Sequence, residues 1–536
     1  MSDIGRASVV IGAGTLVSRL TGLIRNIVLA SVLGAVASPA ADAFGVANQL
    51  PNNVFSIISV GVLTAVIVPQ IVKATAAADG GGAFISKLFT LGTVVLTATT
   101  VLAMIGAPWL VMISANGTPE QLALATAFAY WCLPQILFYG LYAMVGETLN
   151  ARRIFGPFTW APIANNIISI IGFLVIAALF GSNLTEIAQW TPPMIAALAG
   201  TTTAATIVQA AILLLFWRRT GLRLRPDFRW RGVGLGQIGR MAGWTFLMAS
   251  ASLAAGVFQG WVAYTASGVG PSVAAMGYMW LIYMLPYSII VISIGTPYFT
   301  QLAEHAAAGR DSEVTRDIDT SIRTLGFFVF GAVAAVAAAA IPAARVFTGS
   351  AEHATQAALV LLAYLLALAP MAALFIIQRT FYAYGDTRTP FFFTLLHASL
   401  IVVSAAVAGV LADAGVLPLA LLGAVIALSQ SLCAILQTIV ATVLLHRRLG
   451  SIHTASWLGA YGRFLLAAVP AGLAGYGLFL LMGGIDGWTT AEKVPAVAGT
   501  AVIGIAALIV YLAVLALVRA PELNVARGIV TRILRR

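Results

Sequence analysis

Stretches of 20 or more apolar residues recur along this chain from end to end, and they constrain its fold more than any other feature. Each is long enough to cross a hydrocarbon core ~30 Å thick as a helix. Fourteen spans are read, at about 7–34, 41–72, 86–114, 119–149, 158–181, 192–217, 236–266, 272–302, 319–347, 354–383, 390–412, 417–446, 456–483 and 495–518. The expected fold is an all-α polytopic membrane protein with about 14 transmembrane helices. Of the 536 residues, 60% are hydrophobic and only 9% charged, too few charges to clothe a soluble protein of this size. The first span is glycine-rich, carries two internal arginines and lacks a clear small-residue exit, so it does not read as a cleaved signal peptide. Cys132 and Cys433 lie inside apolar runs and are expected as packed or lipid-facing thiols.

The net charge of +11 does not point to nucleic acid, because the basic residues fall in alternate connections. Lys73 and Lys87, Arg152 and Arg153, then Arg218, Arg219, Arg223, Arg225, Arg229 and Arg231 mark one side. Arg310 and Arg316, Arg379 and Arg388, Arg447 and Arg448, and finally Arg527, Arg532, Arg535 and Arg536 continue the series. The opposite connections hold little beyond Lys493, with Arg345 near an outer end. The positive-inside rule then places both termini in the cytoplasm. The basic tail is also suited to anionic lipid headgroups.

Two short patterns repeat at nearly one offset. Leu50-Pro51 and Ile58-Ser59-Val60-Gly61 in span 2 correspond to Leu285-Pro286 and Ile292-Ser293-Ile294-Gly295 in span 8, 234–235 residues on. Ala151 to Pro157 before span 5 corresponds to Ala383 to Pro390 before span 11. Both pairs are six spans apart, so the halves share one orientation and form a parallel pseudo-twofold repeat of two six-helix lobes. The expected domains are an N-terminal lobe (1–217), an Arg-rich cytoplasmic linker (218–235), a C-terminal lobe (236–447) and a C-terminal helix pair with a basic tail (448–536). The linker, with Trp217 and Trp230, could carry a short amphipathic helix on the inner leaflet. Paired lobes around a cavity are the basis of alternating access.

Arg19 and Arg25 stand inside the first span. A charge near the bilayer centre costs about 2.5–3.5 kcal/mol on insertion scales, so a watery cationic cavity that holds an anion is the economical explanation. The guanidinium fork gives two hydrogen bonds to phosphate oxygens, which suits a diphosphate. Six residues separate the pair, about 9 Å of rise and roughly 120° around the helix. Gly12, Gly14 and Gly22 thin the helix, and Ser18, Thr21 and Asn26 add polar lining. Asn48, Gln49, Asn52 and Asn53 surround Pro51, where amides either satisfy backbone groups freed by the proline or touch a sugar or pyrophosphate. Asp42 is read as a helix N-cap or as an outer-gate partner of an arginine. Glu147, near Asn150 and Arg152, forms a local ion pair or an inner gate.

The chemistry of an enzyme is not apparent. Ile11-Gly12-Ala13-Gly14 lacks the third glycine and the acidic residue of a dinucleotide site, and reads as helix packing. No Walker A motif, nucleophile–base pair or metal-ligand set is present, and His397 is isolated in an apolar run. No cofactor is expected.

Ser18-Arg19-Leu20-Thr21-Gly22-Leu23-Ile24-Arg25, then Gly34, Asp42-Ala43-Phe44 and Leu50-Pro51-Asn52, resemble the MurJ (MviN) lipid II flippases of the MOP exporter superfamily. The stretches from Asn150 to Pro162 and from Phe381 to Pro390 resemble the same group. The resemblance covers both lobes. It implies a V of two six-span lobes, a final helix pair bordering a lipid-tail groove, and movement of undecaprenyl-diphosphate-linked peptidoglycan precursor from inner to outer leaflet. By position, Arg19 and Arg25 match the family's cavity arginines, and Asp42 and Asn52 match polar positions of span 2. Departures stand at Asn26 and Phe55, and at Leu281 and Met284, where many members carry charges. Spans 7 and 8 of lobe two then supply no cavity charge beyond Arg240 at the rim, and the lobe's candidates are the neutral Gln259, Trp261, Tyr264, Tyr278, Tyr283 and Tyr287.

The leading expectation is a lipid II flippase in the bacterial cytoplasmic membrane. It would bind substrate through Arg19, Arg25, Asn48, Asn52 and Gln259 and gate through Asp42, Glu147 and Arg152. Membrane lipids and proteins of cell-wall synthesis and division are the expected partners, and nucleic acid is not. The alternatives are a flippase for another polyprenyl-linked oligosaccharide, a cation-coupled multidrug exporter and a non-transporting cell-wall scaffold. The exporter predicts intramembrane acids and no paired arginines, the reverse of what this chain carries.

Overall fold

A computed structural model describes residues 3–59, 82–152, 154, 156–229 and 235–523, without the side chains of 3–13, 16 and 235–242. Val60, Gly61, Lys73, Arg153, Trp230, Arg231 and the arginines of the tail lie outside the described residues, as does the side chain of Arg240. The described residues are helical, with no strand among them. They form two compact units, 1–268 and 269–536.

In the first unit, α1 (Asp3–Leu33), α2 (Pro39–Ile58), α3 (Gly82–Ile105), α4 (Ala107–Met112) and α5 (Pro119–Cys132) are followed by α6 (Gln135–Ala151), α7 (Gly156–Phe180), α8 (Pro192–Leu215) and α9 (Leu235–Ala263). α2 packs on α5 and α6, α3 on α6, α7 on α8, and α8 on α5 and α6, while α1 lies along α7. α9 belongs to this unit and touches α2.

The second unit holds α10 (Val273–Pro286), α11 (Ser293–Ala307), α12 (Asp311–Ala338), α13 (Ala340–Arg345), α14 (Ala351–Leu365), α15 (Leu368–Ala383), α16 (Arg388–Asp413) and α17 (Leu419–Leu449). It ends with α18 (Thr454–Leu481), α19 (Trp488–Ala491) and α20 (Lys493–Leu517). The neighbours repeat: α10 on α14, α12 on α15, α16 on α17, and α17 on α14 and α15.

The repeat extends to defects. The helix of span 3 breaks at Gly106 and that of span 9 at Ala339; span 4 breaks at Leu133-Pro134 and span 10 at Leu366-Ala367. Each pair of breaks is 233 residues apart, the spacing already visible in the sequence patterns. A proline stands at or in the first turn after each break: Pro108, Pro134, Pro342 and Pro370. After Pro286 the chain continues as a π-helix over Tyr287–Ile292. A proline removes a backbone donor, and the wider turn absorbs the gap without ending the span.

Among the described residues, twelve helical stretches are long and apolar enough to cross a membrane, and α1 and α2 are not among the twelve. Their outer faces carry the exposed apolar side chains that lipid requires, such as Leu102 at 67% and Leu481 at 86%. α18 and α20 pack on α12, where Phe327, Phe464 and Tyr511 form a buried cluster. The Tyr511 hydroxyl donates to Phe327 O at 2.8 Å. Arg345 fastens the far end of the pair, donating to Thr490 O at 2.7 Å, Ala491 O at 2.8 Å and Thr348 O at 2.6 Å. Cys132 and Cys433 are both buried and unbridged.

Among the described residues of the linker up to 229, no amphipathic helix forms. A single 3-10 turn, Trp217–Thr220, precedes an irregular strand of chain over 221–229. Pro226 lacks an amide donor, and the linker's polar groups are taken by α3 instead of by an i→i−4 ladder.

Candidate functional site: a cationic wall in the first unit

The first helix is seated by glycine and asparagine. A Cβ on Gly14 would lie 2.5 Å from Thr159 Cγ2, so only glycine admits this approach of α1 to α7. Asn166 Nδ2 donates to Ser18 O and to Thr21 Oγ1, both at 3.0 Å. At about 100° per residue, Arg25 falls on the same face as Gly14, Ser18 and Thr21. There it lies within electrostatic reach of Tyr139 on α6. The Tyr139 ring is 5.9 Å from that of Phe55 on α2. Phe55 shares one face of α2 with Asn48 and Asn52, which stand at helical spacing before it.

The wall is thus outlined in steps: Arg25 within reach of Tyr139, Tyr139 beside Phe55, and Asn52 and Asn48 about one and two turns before Phe55 on the same face of α2. Asn52 is exposed and Asn48 half-buried, and neither hydrogen-bonds among the described residues. They do not serve the backbone around Pro51, so their amides are available to a ligand. Behind the wall runs a buried relay. Tyr139 Oη donates to Gln135 Oε1 at 2.8 Å, and Gln135 Nε2 donates to Thr203 Oγ1 at 2.9 Å. Such a satisfied network fixes the position of Tyr139 beside Phe55.

Arg19 occupies a different side of α1. Thr15, Arg19, Gly22 and Asn26 recur at helical spacing and form a polar stripe distinct from exposed Leu20 and Ile24. Arg19 is half-buried and makes no ion pair or hydrogen bond among the described residues. Arg19 and Arg25 thus line two sides of one helix, as their spacing predicts, and do not converge on one point.

The gate candidates resolve unevenly. Asp42 is not the N-cap of α2; Ser38 is, accepting from Ala41 N at 3.1 Å. Asp42 is instead buried in the first turn, 1% exposed and within electrostatic reach of buried Tyr264. Glu147 is half-buried on α6 and makes no ion pair among the described residues, so it does not pair locally with Arg152. Arg152 caps the C-terminus of α6. Gln259 is half-buried on α9 without a hydrogen bond among the described residues.

Of the aromatic candidates, Tyr264, Tyr278 and Tyr283 are core residues. Tyr278 stacks on Phe347 at 5.2 Å, and Tyr283 sits against Tyr364 at 6.0 Å. Arg379, read from sequence as a loop charge, is instead held at 5.1 Å from the Phe299 ring and 5.0 Å from that of Phe375. The second unit also contains an apolar groove of about 710 Å³ between α12, α14, α15, α17 and α18. Phe330, Leu362, Leu366, Leu428, Tyr461 and Leu465 line it.

The sequence model of one protein family, described as lipid II flippase MurJ, matches residues 29–494. The chain belongs to the MurJ lipid II flippase family. It is 27% identical over 314 residues to a probable lipid II flippase MurJ of Buchnera aphidicola, and spans 58% of that relative's length. It is 25% identical over 405 residues to the Rhizobium tropici protein of the same description, 73% of each chain. A solved lipid II flippase MurJ in an inward closed conformation shares its fold with a TM-score of 0.70 at 18% identity, covering 98% of this chain and 100% of that one. An inward-facing multidrug resistance MATE transporter of the MOP superfamily matches with a TM-score of 0.62 at 15% identity, over 81% of this chain and 95% of that one.

The family match begins just beyond Arg25, so the two arginines rest on the residues around them and on the packing of α1. What sequence reasoning missed in this MurJ relative is the supporting layer: Gln135, Tyr139, Asn165, Asn166 and Thr203. The signal was present. Gln135 and Tyr139 stand one turn apart in an apolar span, and Asn165-Asn166 follows Pro162 in another. Polar pairs inside a membrane helix are costly unless they bond across helices, as these do.

Proposed function

We propose that this protein moves lipid II, an undecaprenyl-diphosphate-linked peptidoglycan precursor, from the inner to the outer leaflet by alternating access. The observation that carries the reading is the wall of Arg25, Asn48 and Asn52, with Arg19 on the adjoining stripe. Guanidinium groups take the diphosphate and amides the sugar, and the Asn48 and Asn52 side chains carry no hydrogen bond among the described residues. The apolar groove of the second unit suits the polyprenyl tail, and α18 of the terminal pair forms part of it. In this reading residues 1–217 and 236–447 act as lobes, joined by the linker. Asp42 serves an outer gate, and Glu147 and Arg152 an inner one. Gln259 contributes an amide from α9. Both termini face the cytoplasm, and cell-wall synthesis and division proteins are the natural partners of such a step.

Rescue of a flippase-depleted bacterium, scored by labelling lipid II in the outer leaflet, tests it. The wild-type chain is expected to restore labelling, and Arg19→Ala and Arg25→Ala to abolish it at unchanged protein level. Full labelling in both variants would sink the cationic site. A second reading, another polyprenyl-linked glycan as cargo, is favoured by uncharged Leu281 and Met284. It predicts that the chain fails this rescue yet moves a different lipid-linked glycan in vesicles.

A further inference from the structure

The irregular linker is an ordered strap. Arg225 N donates to Ser86 Oγ at 3.3 Å, Ser86 Oγ donates to Arg223 O at 3.4 Å, and Asp227 N donates to Thr90 Oγ1 at 3.0 Å. Trp217 pins its start, donating to Leu222 O at 3.0 Å and packing edge-on against Phe89 at 5.0 Å. Between strap and helix lies a cavity of about 640 Å³ with Gly82, Ala83 and Ser86 on one side and Arg223, Arg225 and Arg229 on the other. Cavities of this size take whole small molecules rather than single ions.

Its charge is unbalanced. Arg229 pairs with Asp227 through two bonds of 3.1 Å. Lys87 acts on the same carboxylate from α3. Arg223 and Arg225 have no ion pair or hydrogen bond from their side chains among the described residues. Phe228, 60% exposed, and Leu224, 39% exposed, flank them. The cavity stands at the end of a membrane-spanning helix.

We propose that this cradle binds the phosphate of an anionic glycerophospholipid headgroup, with Arg223 and Arg225 on the phosphate and Phe228 and Leu224 in the interface. Topology alone asks for positive charge in this connection. It does not ask for a cavity closed by hydrogen bonds to backbone with two guanidinium groups unpaired beside it. The exposed apolar pair favours a lipid over a free anion, because a soluble phosphate gains nothing from it. The assignment is independent of what the protein transports.

The test uses the full chain in micelles, titrated with spin-labelled phosphatidylglycerol or phosphatidylcholine. Hydrogen exchange at the Arg225 and Asp227 amides is read in parallel. Both substitutions in R223Q/R225Q leave the strap's bonds intact, since those use backbone atoms. The double variant is expected to bind phosphatidylglycerol about tenfold more weakly and to lose lipid-dependent protection of the two amides. Arg447→Gln, in another connection, is expected to bind as wild type does. Equal binding by the double variant and the wild type overturns the proposal. So does protection of the amides by inorganic phosphate alone to the same degree as by the lipid, which would make the site one for a free anion.

Discussion

At the scale of single residues, the candidate site depends on how α1 is seated. Asn166 makes two bonds to α1 from an apolar helix, and Asn166→Ala removes both. Interhelical hydrogen bonds in membranes are worth roughly 0.6–2 kcal/mol, so a loss of about 1 kcal/mol is expected in thermal unfolding of the detergent-solubilised chain. Arg25→Lys tests chemistry rather than packing. Lysine keeps the charge but loses the planar fork, and outer-leaflet arrival of lipid II is expected to fall about tenfold with unchanged stability. A lysine variant as active as wild type would mean that charge alone serves. Arg19 and Arg25 were legible because intramembrane charge is expensive wherever it occurs. Tyr139 and Gln135 were not, because a tyrosine or glutamine in a span gains meaning only from what packs against it.

At the scale of elements, helix ends and crossings decide what moves together. Asp386 closes the N-terminus of α16: its carboxylate accepts from Thr389 N and Arg388 N at 3.0 Å, from Thr389 Oγ1 at 2.8 Å and from Arg448 at 2.6 Å. Partial burial raises its pKa, but the bonds from Thr389, Arg448 and Arg388 outweigh this and hold it below the ordinary value. A carboxyl whose native pKa is lowered stabilises the fold fully above its unfolded value, near ~3.9, and loses that contribution as pH falls through the native value. Asp386→Asn is therefore expected to destabilise by roughly 0.5–1 kcal/mol at neutral pH, and the gap between variant and wild type to close on acidification below about pH 4. Unfolding followed across that range checks it. At the other kind of junction, a Cβ on Gly475 would come 2.7 Å from that of Ala338 and 3.1 Å from that of Ala507. Gly475→Val is expected to cost about 1–3 kcal/mol by wedging α18 from α12 and α20, read as a lowered midpoint. Hydropathy located these elements to within a few residues. It could not locate the breaks at Gly106, Ala339 and Leu366, because an apolar run is equally apolar on both sides of a kink.

At the scale of the whole molecule, the pattern is duplication with unequal function. Helix neighbours and helix breaks recur at one offset, whereas the cationic wall belongs to the first unit and the apolar groove to the second. The duplication was readable from a few short matches because the backbone constraint at each break outlives the residues that satisfy it. Pro134 has Ala367 as its counterpart, with the same break. The linker's course was not readable, since its partners Ser86 and Thr90 lie more than a hundred residues earlier. A diphosphate cargo carried outward across an inside-negative membrane gains about 2.3 kcal/mol per charge per 100 mV. Collapse of the potential in vesicles is therefore expected to slow outward movement, and an unchanged rate would remove the potential as a driving force. Motion itself is open to spectroscopy. Both native thiols are buried and unbridged, so a cysteine introduced at an exposed position such as Asn52 or Phe228 would be the readily labelled sulfhydryl. The natural sequence is thus already close to a label-silent background, on which paired probes can report distances without first being stripped of its own sulfur.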